Sequence, residues 1–225
     1  MSAGVDAALP GRFEEFRGLH AGETAIVCGC GRSLTRLREP ERYLTIGVND
    51  VGRLFDPTYL VVLNPRSQFR GDRYRYVEES RARAVFTQLE LRLAHPRVVR
   101  FQLGRRGGTD LGDPRRLPYT RNSPYVALGL AVHLGATRIG LLGVDFTDDH
   151  FFGRTGRHAL ARGLETIDGE YGRLREACRA LGVEVFNLSP ESRLTSLPRA
   201  AGPGPASRTG LRLRPRSPRA RGDRR

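Results

Sequence analysis

Apolar residues along this chain fall into short runs separated by turn-forming residues. Thr24-Ala-Ile-Val-Cys28 is continuous and partly β-branched, and it ends at Gly29-Cys-Gly-Arg-Ser33. That pattern reads as a buried strand followed by a glycine turn. Residues 43–48 form a second such run, ending at Asn49-Asp50, and residues 58–63 a third, ending at Asn64-Pro65. Residues 84–89 and 98–103 are weaker strand candidates. Asn122-Ser123-Pro124 then opens an apolar helix that runs to about Leu134 and closes at Gly135. Ser at the N-cap and Pro at the first helical position are the expected start, and glycine the expected stop. Residues 138–144 are the strongest strand and end at Asp145-Phe146.

Beyond a loop at 147–156, Leu160, Leu164, Ile167, Tyr171, Leu174, Cys178 and Leu181 recur at alternating steps of four and three. This places one apolar stripe on one face of a long helix. Gly182 ends it, and 183–188 form a last strand. Short apolar strands alternating with helices imply an α/β fold: one Rossmann-like, mostly parallel sheet with helices on both faces. The expected organisation is a lead-in at 1–22, a nucleotide-binding catalytic domain at 23–198 and a tail at 199–225. The lead-in reads as a short helical segment, and no internal repeat is visible.

Composition narrows the chemistry. The chain has 225 residues, 38 of them basic and 24 acidic, for a formal charge of +14; every basic residue is Arg. Without lysine there is no P-loop lysine for phosphates and no amine for a Schiff base. No apolar run is long enough for a membrane span, and the N-terminus lacks the pattern of a signal peptide. Three cysteines, Cys28, Cys30 and Cys178, fit a reducing cytoplasm better than a disulfide framework. Cys28 and Cys30 read as small residues packed around a strand end rather than a metal or redox pair. The tail carries nine arginines and one aspartate among prolines, with few apolar residues. It is expected to be disordered, and its charge suits weak anionic contacts.

In open α/β sheets, ligands bind beyond the carboxyl ends of the strands. The residues expected there are small or neutral and polar: Gly29, Gly31, Ser33, Asn49, Asn64, Asn122 and Ser123, with Asp145 beside them. Glycines let backbone N–H groups approach a phosphate, a helix N-terminus favours an anion, and the asparagines can both donate and accept toward a ribose or base. Together they describe a nucleotide site. A dinucleotide fingerprint would require glycine where Leu34 stands. The loop after the strong strand supplies the reactive groups. His150 and His158 are candidate bases, and Arg154 and Arg157 candidate partners of a departing phosphate. Asp148 and Asp149 are candidate Mg²⁺ ligands in one alternative. Arg121 adds charge beside the helix start. Glycines 153 and 156, with Phe151 and Phe152, suggest a mobile cover.

Five segments in order carry a resemblance: "AIVCGCGRSLTRL", "TIGVND", "LVVLNPRSQF", "RNSPYVALGLAVHLGATRIGLLGVDF" and "VEVFNLSPESRL". They resemble the bacterial sialyltransferases of family 42 and the related domain of archaeal 6-hydroxymethylpterin diphosphokinases and flagellin-modifying proteins. The similarity spans about residues 24–194, with gaps between 70 and 118. It implies that Gly29, Gly31, Ser33, Asn49 and Asn64 hold a cytidine nucleotide and that Ser123 contacts the donor. The chain departs from the family's pattern at Cys30 and Arg32, where Asn and Pro are usual. It departs again at Thr147, where the first of two tyrosines stands, and near Glu165, where the catalytic histidine stands. The leading expectation is a glycosyltransferase taking a CMP-linked sugar and a hydroxyl acceptor with no required cofactor. The alternatives are an ATP-dependent diphosphokinase acting on a hydroxymethylpterin-like alcohol with Mg²⁺, and a non-enzymatic nucleotide- or nucleic-acid-binding module. Sugar, acceptor and any homo-oligomer stay open.

Overall fold

Seven parallel strands form the central sheet in the order β11-β8-β1-β2-β3-β4-β5. The computed structural model describes residues 11–154 and 160–200. In chain order the strands are β1 (Thr24–Cys28), β2 (Leu44–Val48), β3 (Tyr59–Val61), β4 (Ala84–Thr87) and β5 (Val98–Arg100). They continue with β6 (Gln102–Arg106), β7 (Arg116–Tyr119), β8 (Arg138–Leu142), β9 (Asp149–His150), β10 (Gly153–Arg154) and β11 (Glu184–Asn187). Helix α1 (Arg75–Glu78) is a single turn, whereas α2 (Ser123–His133) and α3 (Leu164–Ala180) are full helices.

Burial explains the strand sequences. Every residue of β1, β2, β3 and β4 is buried, as expected of strands covered on both faces. The edge strands β5 and β11 include exposed positions and are correspondingly less apolar. The same logic separates the two long helices. In α2 only Val132 escapes full burial, so the helix is apolar all round. Gly129 lets the segment before it cross closely: a Cβ there would lie 2.6 Å from Pro118 Cδ. Helix α3 buries one stripe, Ile167, Tyr171, Leu174 and Cys178, as its periodicity predicts. Leu181, at the end of that stripe, is exposed.

Several boundaries differ from expectation. Asn122, not Ser123, is the N-cap of α2, so Ser123 is its first residue and Pro124 its second. The long helix starts at Leu164, directly after a 3₁₀ turn at Ala161–Gly163, and residues 149–154 of the loop before it pair as a hairpin of two-residue strands. The pair β6–β7, parallel and outside the main sheet, was not anticipated because Gln102-Leu-Gly-Arg-Arg106 carries no apolar pattern. The described part of the lead-in holds a 3₁₀ turn, Phe13–Phe16, whose two phenylalanines enter the core. Its backbone then ties to the end of α2, as Gly18 N–H donates to His133 O (2.9 Å) and His20 N–H to Leu134 O (2.7 Å). At the other end, Arg199 and Ala200 are ordered against β11, one residue pairing directly with Asn187. The expected disordered tail therefore gives up these two residues to the edge of the sheet, and 201–225 lie outside the described residues.

Candidate functional site

The strand order reverses between β1 and β8. The chain builds β2 to β5 on one side of β1 and returns to the other side with β8. Such switch points are where α/β sheets open a crevice for ligands. A cavity of about 890 Å³ lies at this end of the strands. Six of the eight residues expected to hold a nucleotide line it: Gly31, Asn49, Asn64, Asn122, Ser123 and Asp145. Gly29 and Ser33 do not.

The two glycines have steric roles that sequence alone did not distinguish. A Cβ on Gly29 would sit 2.3 Å from the carbonyl oxygen of Gly143, and one on Gly143 would sit 2.4 Å from that of Gly29. The backbones leaving β1 and β8 thus touch, and Gly143 also adopts φ +75°. Gly31 borders the cavity, but a Cβ there would meet the Asp145 carboxylate at 2.5 Å. Ser33 is buried and committed. Its hydroxyl accepts from Gly143 N–H (2.9 Å) and donates to Asp145 Oδ1 (2.5 Å), while its N–H donates to Asp145 Oδ2 (2.8 Å). Asp145 is therefore an organiser of the glycine turn, with both carboxylate oxygens accepting bonds from Ser33.

Asn49 and Asn64 stand at neighbouring strand ends. Asn49 adopts φ +52°, a left-handed conformation that asparagine tolerates and that often marks functional turns. Its Oδ1 is buried without a hydrogen-bond partner, and so is Oε1 of Gln88, just beyond β4. The Gln88 amide is oriented by its Nε2 donating to Leu63 O (3.1 Å). Both residues line the cavity. Unpaired buried acceptors cost about 1–3 kcal/mol each, and a ligand bearing N–H or O–H groups would relieve this cost once the amides turn toward it. Asn122 Oδ1, by contrast, already accepts from Tyr171 O–H (2.5 Å). Ser123 lies at the positive end of α2 and lines this space.

Cations also border the cavity. Arg70, Arg73 and Arg121 line the cavity, and only Arg121 was noted from sequence. Arg73 grips the fully buried Asp50 with two bonds, Nε to Oδ2 (2.8 Å) and Nη2 to Oδ1 (2.6 Å). The bonds to Asp50 push the guanidinium's pKa up from its ordinary value. Nothing in sequence spacing joins residues 50 and 73, so this pair was not foreseeable. Cys30 lies beside Asp50. Burial, followed by the Asp50 charge, pushes its thiol well above the ordinary range, and burial alone raises the Cys28 thiol. Both are thus protonated and unreactive, in keeping with a packing role.

The hairpin β9–β10 covers one side. Phe151 N–H donates to Cys30 O (3.1 Å), and His150 bridges Gly31. His150, Asp149, Thr147 and Phe152 line the cavity, whereas Asp148 and Arg154 are exposed and do not. Asp148 and Asp149 therefore do not converge on one point of the wall, and among the described residues no three metal-binding side chains meet. Arg157 and His158 lie outside the described residues. Glu165 is exposed at the start of α3. A buried carboxylate that sequence reading missed, Glu170 on α3, accepts from Thr120 Oγ1 at the cavity wall. No described helix is long and apolar enough to cross a membrane.

No family model matches this sequence. No curated protein matches it either. Solved structures do share its architecture. The chain is similar to the MAf glycosyltransferase from Magnetospirillum magneticum AMB-1, with a TM-score of 0.52 and 14% identity. That match covers 84% of this chain but 37% of the other, so this chain spans little more than a third of that protein's length. It is also similar to the sialyltransferase CST-II in complex with a trisaccharide acceptor and CMP, at TM-score 0.48 and 15% identity, covering 79% of this chain and 85% of that one. CstII from Campylobacter jejuni with cytidine-5'-monophosphate gives 0.46 and 11%, covering 80% and 85%. At 14% identity the likeness to the MAf glycosyltransferase is one of fold: this chain has a glycosyltransferase-like fold.

Proposed function

We propose that this chain is a glycosyltransferase that takes its sugar from a nucleotide, with CMP as the carrier. The observation that carries this reading is the cavity at the strand switch point, which Gly31, Asn49, Asn64 and Ser123 all line. A backbone turn, two amides and a helix N-terminus together match the needs of a nucleoside monophosphate: an anion at one end, hydrogen-bonding edges at the other. The unpaired Asn49 acceptor adds a reason for a donor-bearing ligand. The sequence resemblance supplies the choice of cytidine. In this reading residues 23–198 are the catalytic domain.

The chemistry follows from the two sides of the cavity. Ser123 and Arg121, at the start of α2, hold the phosphate and take up the charge that grows as the sugar–phosphate bond breaks. The bonding pair leaves with the phosphate oxygen. The acceptor hydroxyl attacks the sugar carbon and gives its proton to His150, the histidine that lines the cavity. The hairpin above excludes water, which would otherwise compete as the acceptor.

The test is ligand-induced stabilisation. CMP at a hundred times its Kd should stabilise the protein by about 2.7 kcal/mol, read as a rise in Tm. UMP should give less, and ATP with Mg²⁺ little. A rise with ATP and Mg²⁺ alone would favour the diphosphokinase chemistry and contradict this proposal.

A further inference from the structure

The hairpin that carries His150 is fastened from below by an arrangement the reaction does not itself use. Phe152 sits between β9 and β10, and its ring centroid lies 5.0 Å from the guanidinium carbons of both Arg53 and Arg73. Arg73 is not a loose surface cation. Its fork is locked on Asp50, which is fully buried, and its guanidinium also lies 5.9 Å from the Phe69 ring. A guanidinium already held in place loses little further freedom when an aromatic ring settles on it. Phe152 also meets the hairpin's own aromatics. The His150 ring stacks on it at 5.1 Å and 29°, and Phe151 packs edge-on at 5.1 Å.

The backbone contacts set where the hairpin runs but not where the imidazole points. Phe151 N–H to Cys30 O, with the Gly31–His150 bridge, pins the strand path against the glycine turn. The His150 ring itself lies against Phe152. Removing Phe152 therefore leaves a pinned strand whose histidine has lost an aromatic surface it lies on.

We infer that Asp50, Arg73 and Phe152 form a chain of positioning residues that fixes the His150 ring over the cavity. Asp50 orients Arg73, Arg73 with Arg53 holds Phe152, and Phe152 holds His150. The inference rests on His150 being the base proposed above. It adds the source of that group's orientation and makes the hairpin a cover held shut by cation–aromatic contacts. Opening for substrate entry would then break the Phe152 contacts while Asp50–Arg73 stays intact as the seat to which the cover returns.

The experiment uses the full-length protein with ¹⁵N,¹³C-labelled histidine. The His150 resonance is identified by its loss in His150→Ala. Stacking on Phe152 should shift the His150 ring protons from the position of a free imidazole. Phe152→Leu keeps an apolar side chain but removes the aromatic face. In that variant the shift should vanish, and backbone amides of 149–154 should exchange about tenfold faster. Phe152→Tyr should restore both. Arg73→Met alone leaves Asp50 buried without a partner, and the protein could then fail to fold. The double variant Asp50→Asn with Arg73→Met avoids that and should reproduce the Phe152→Leu result. CMP affinity should stay within about threefold in Phe152→Leu, while turnover of CMP-linked sialic acid should lose kcat about tenfold with KM little changed. If His150 and the hairpin amides behave as in wild type in both Phe152→Leu and the double variant, the inference is overturned. If wild type does not bind CMP but the resonances respond as expected, the nucleotide reading fails while the positioning chain stands as a feature of the fold.

Discussion

The two sides of the cavity are built differently. The sheet side presents Gly31, Asn49 and Asn64 from the ends of strands buried along their whole length, and Ser123 from a helix that is buried nearly all round. The hairpin side presents Asp149 and His150 from a strand of two residues, Thr147 from the loop before it and Phe152 from the turn after it, and contacts to this segment include the Phe151–Cys30 backbone bond, the Gly31–His150 bridge and ring contacts. Rigid elements suit groups that must grip a ligand in one geometry, since each rotamer is locked by its packing. A short hairpin outside the main sheet suits groups that must part to admit an acceptor and then close. Under the function proposed above, the contrast would separate binding on the sheet side from proton transfer on the hairpin side.

Substitutions should respect that division, and the largest effect lies where the two sides meet. Arg73→Met, by leaving the Asp50 carboxylate buried and unpaired, should cost about 3–5 kcal/mol of stability in urea unfolding. Adding Asp50→Asn should recover much of it. His150→Ala should leave stability and CMP affinity near wild type and lower turnover by about 10²–10⁴-fold; an unaltered rate would move the base elsewhere. Gly29→Ala on the sheet side should destabilise by about 1–3 kcal/mol, because the new methyl meets the Gly143 carbonyl at 2.3 Å. Gly163→Ala is its control, with nothing among the described residues within 4 Å of the added carbon. Asn49→Gly keeps the positive φ and removes only the amide, so calorimetry should show CMP affinity falling about tenfold at nearly constant stability.

The sheet side was largely legible in the sequence and the hairpin side was not. Strand ends are predictable because an apolar run stops where the backbone leaves the sheet, so Asn49 and Asn64 could be placed without coordinates. The residues there that do not line the cavity, Gly29 and Ser33, are those whose partners come from a strand end distant in sequence. Their carbonyl and carboxylate contacts are with Gly143 and Asp145. On the hairpin side, His150 could be named from its neighbours in sequence. The groups that support it could not, because Arg53, Arg73 and Asp50 reach Phe152 only through the fold. Gln88 and Glu170 were missed for a related reason: one follows a short strand with no motif, and the other is a charged residue that buries beside the apolar stripe of α3.

A small pH effect tests the packing behind the sheet side. His133, near the end of α2, stacks on Phe13 at 4.1 Å and bonds its carbonyl through Nε2 (3.0 Å). Burial holds its pKa below the ordinary value of 6.5, a shift only partly offset by that bond. The unfolded chain thus takes up the proton first as pH falls, so the stability present above pH 6.5 is lost as the pH drops through the folded-state value. Tm measured from pH 7.5 down to 5 should fall less steeply in His133→Phe than in wild type.

The division between a gripping sheet and a covering hairpin is tested most directly by mapping where CMP binds. In a CMP titration followed by backbone amide NMR of the full-length protein, the account predicts saturable shifts at Gly31, Asn49, Asn64 and Ser123, with weaker changes in the hairpin. Shifts confined to the Arg105–Arg106 region of β6, or the absence of any saturable change, would contradict it.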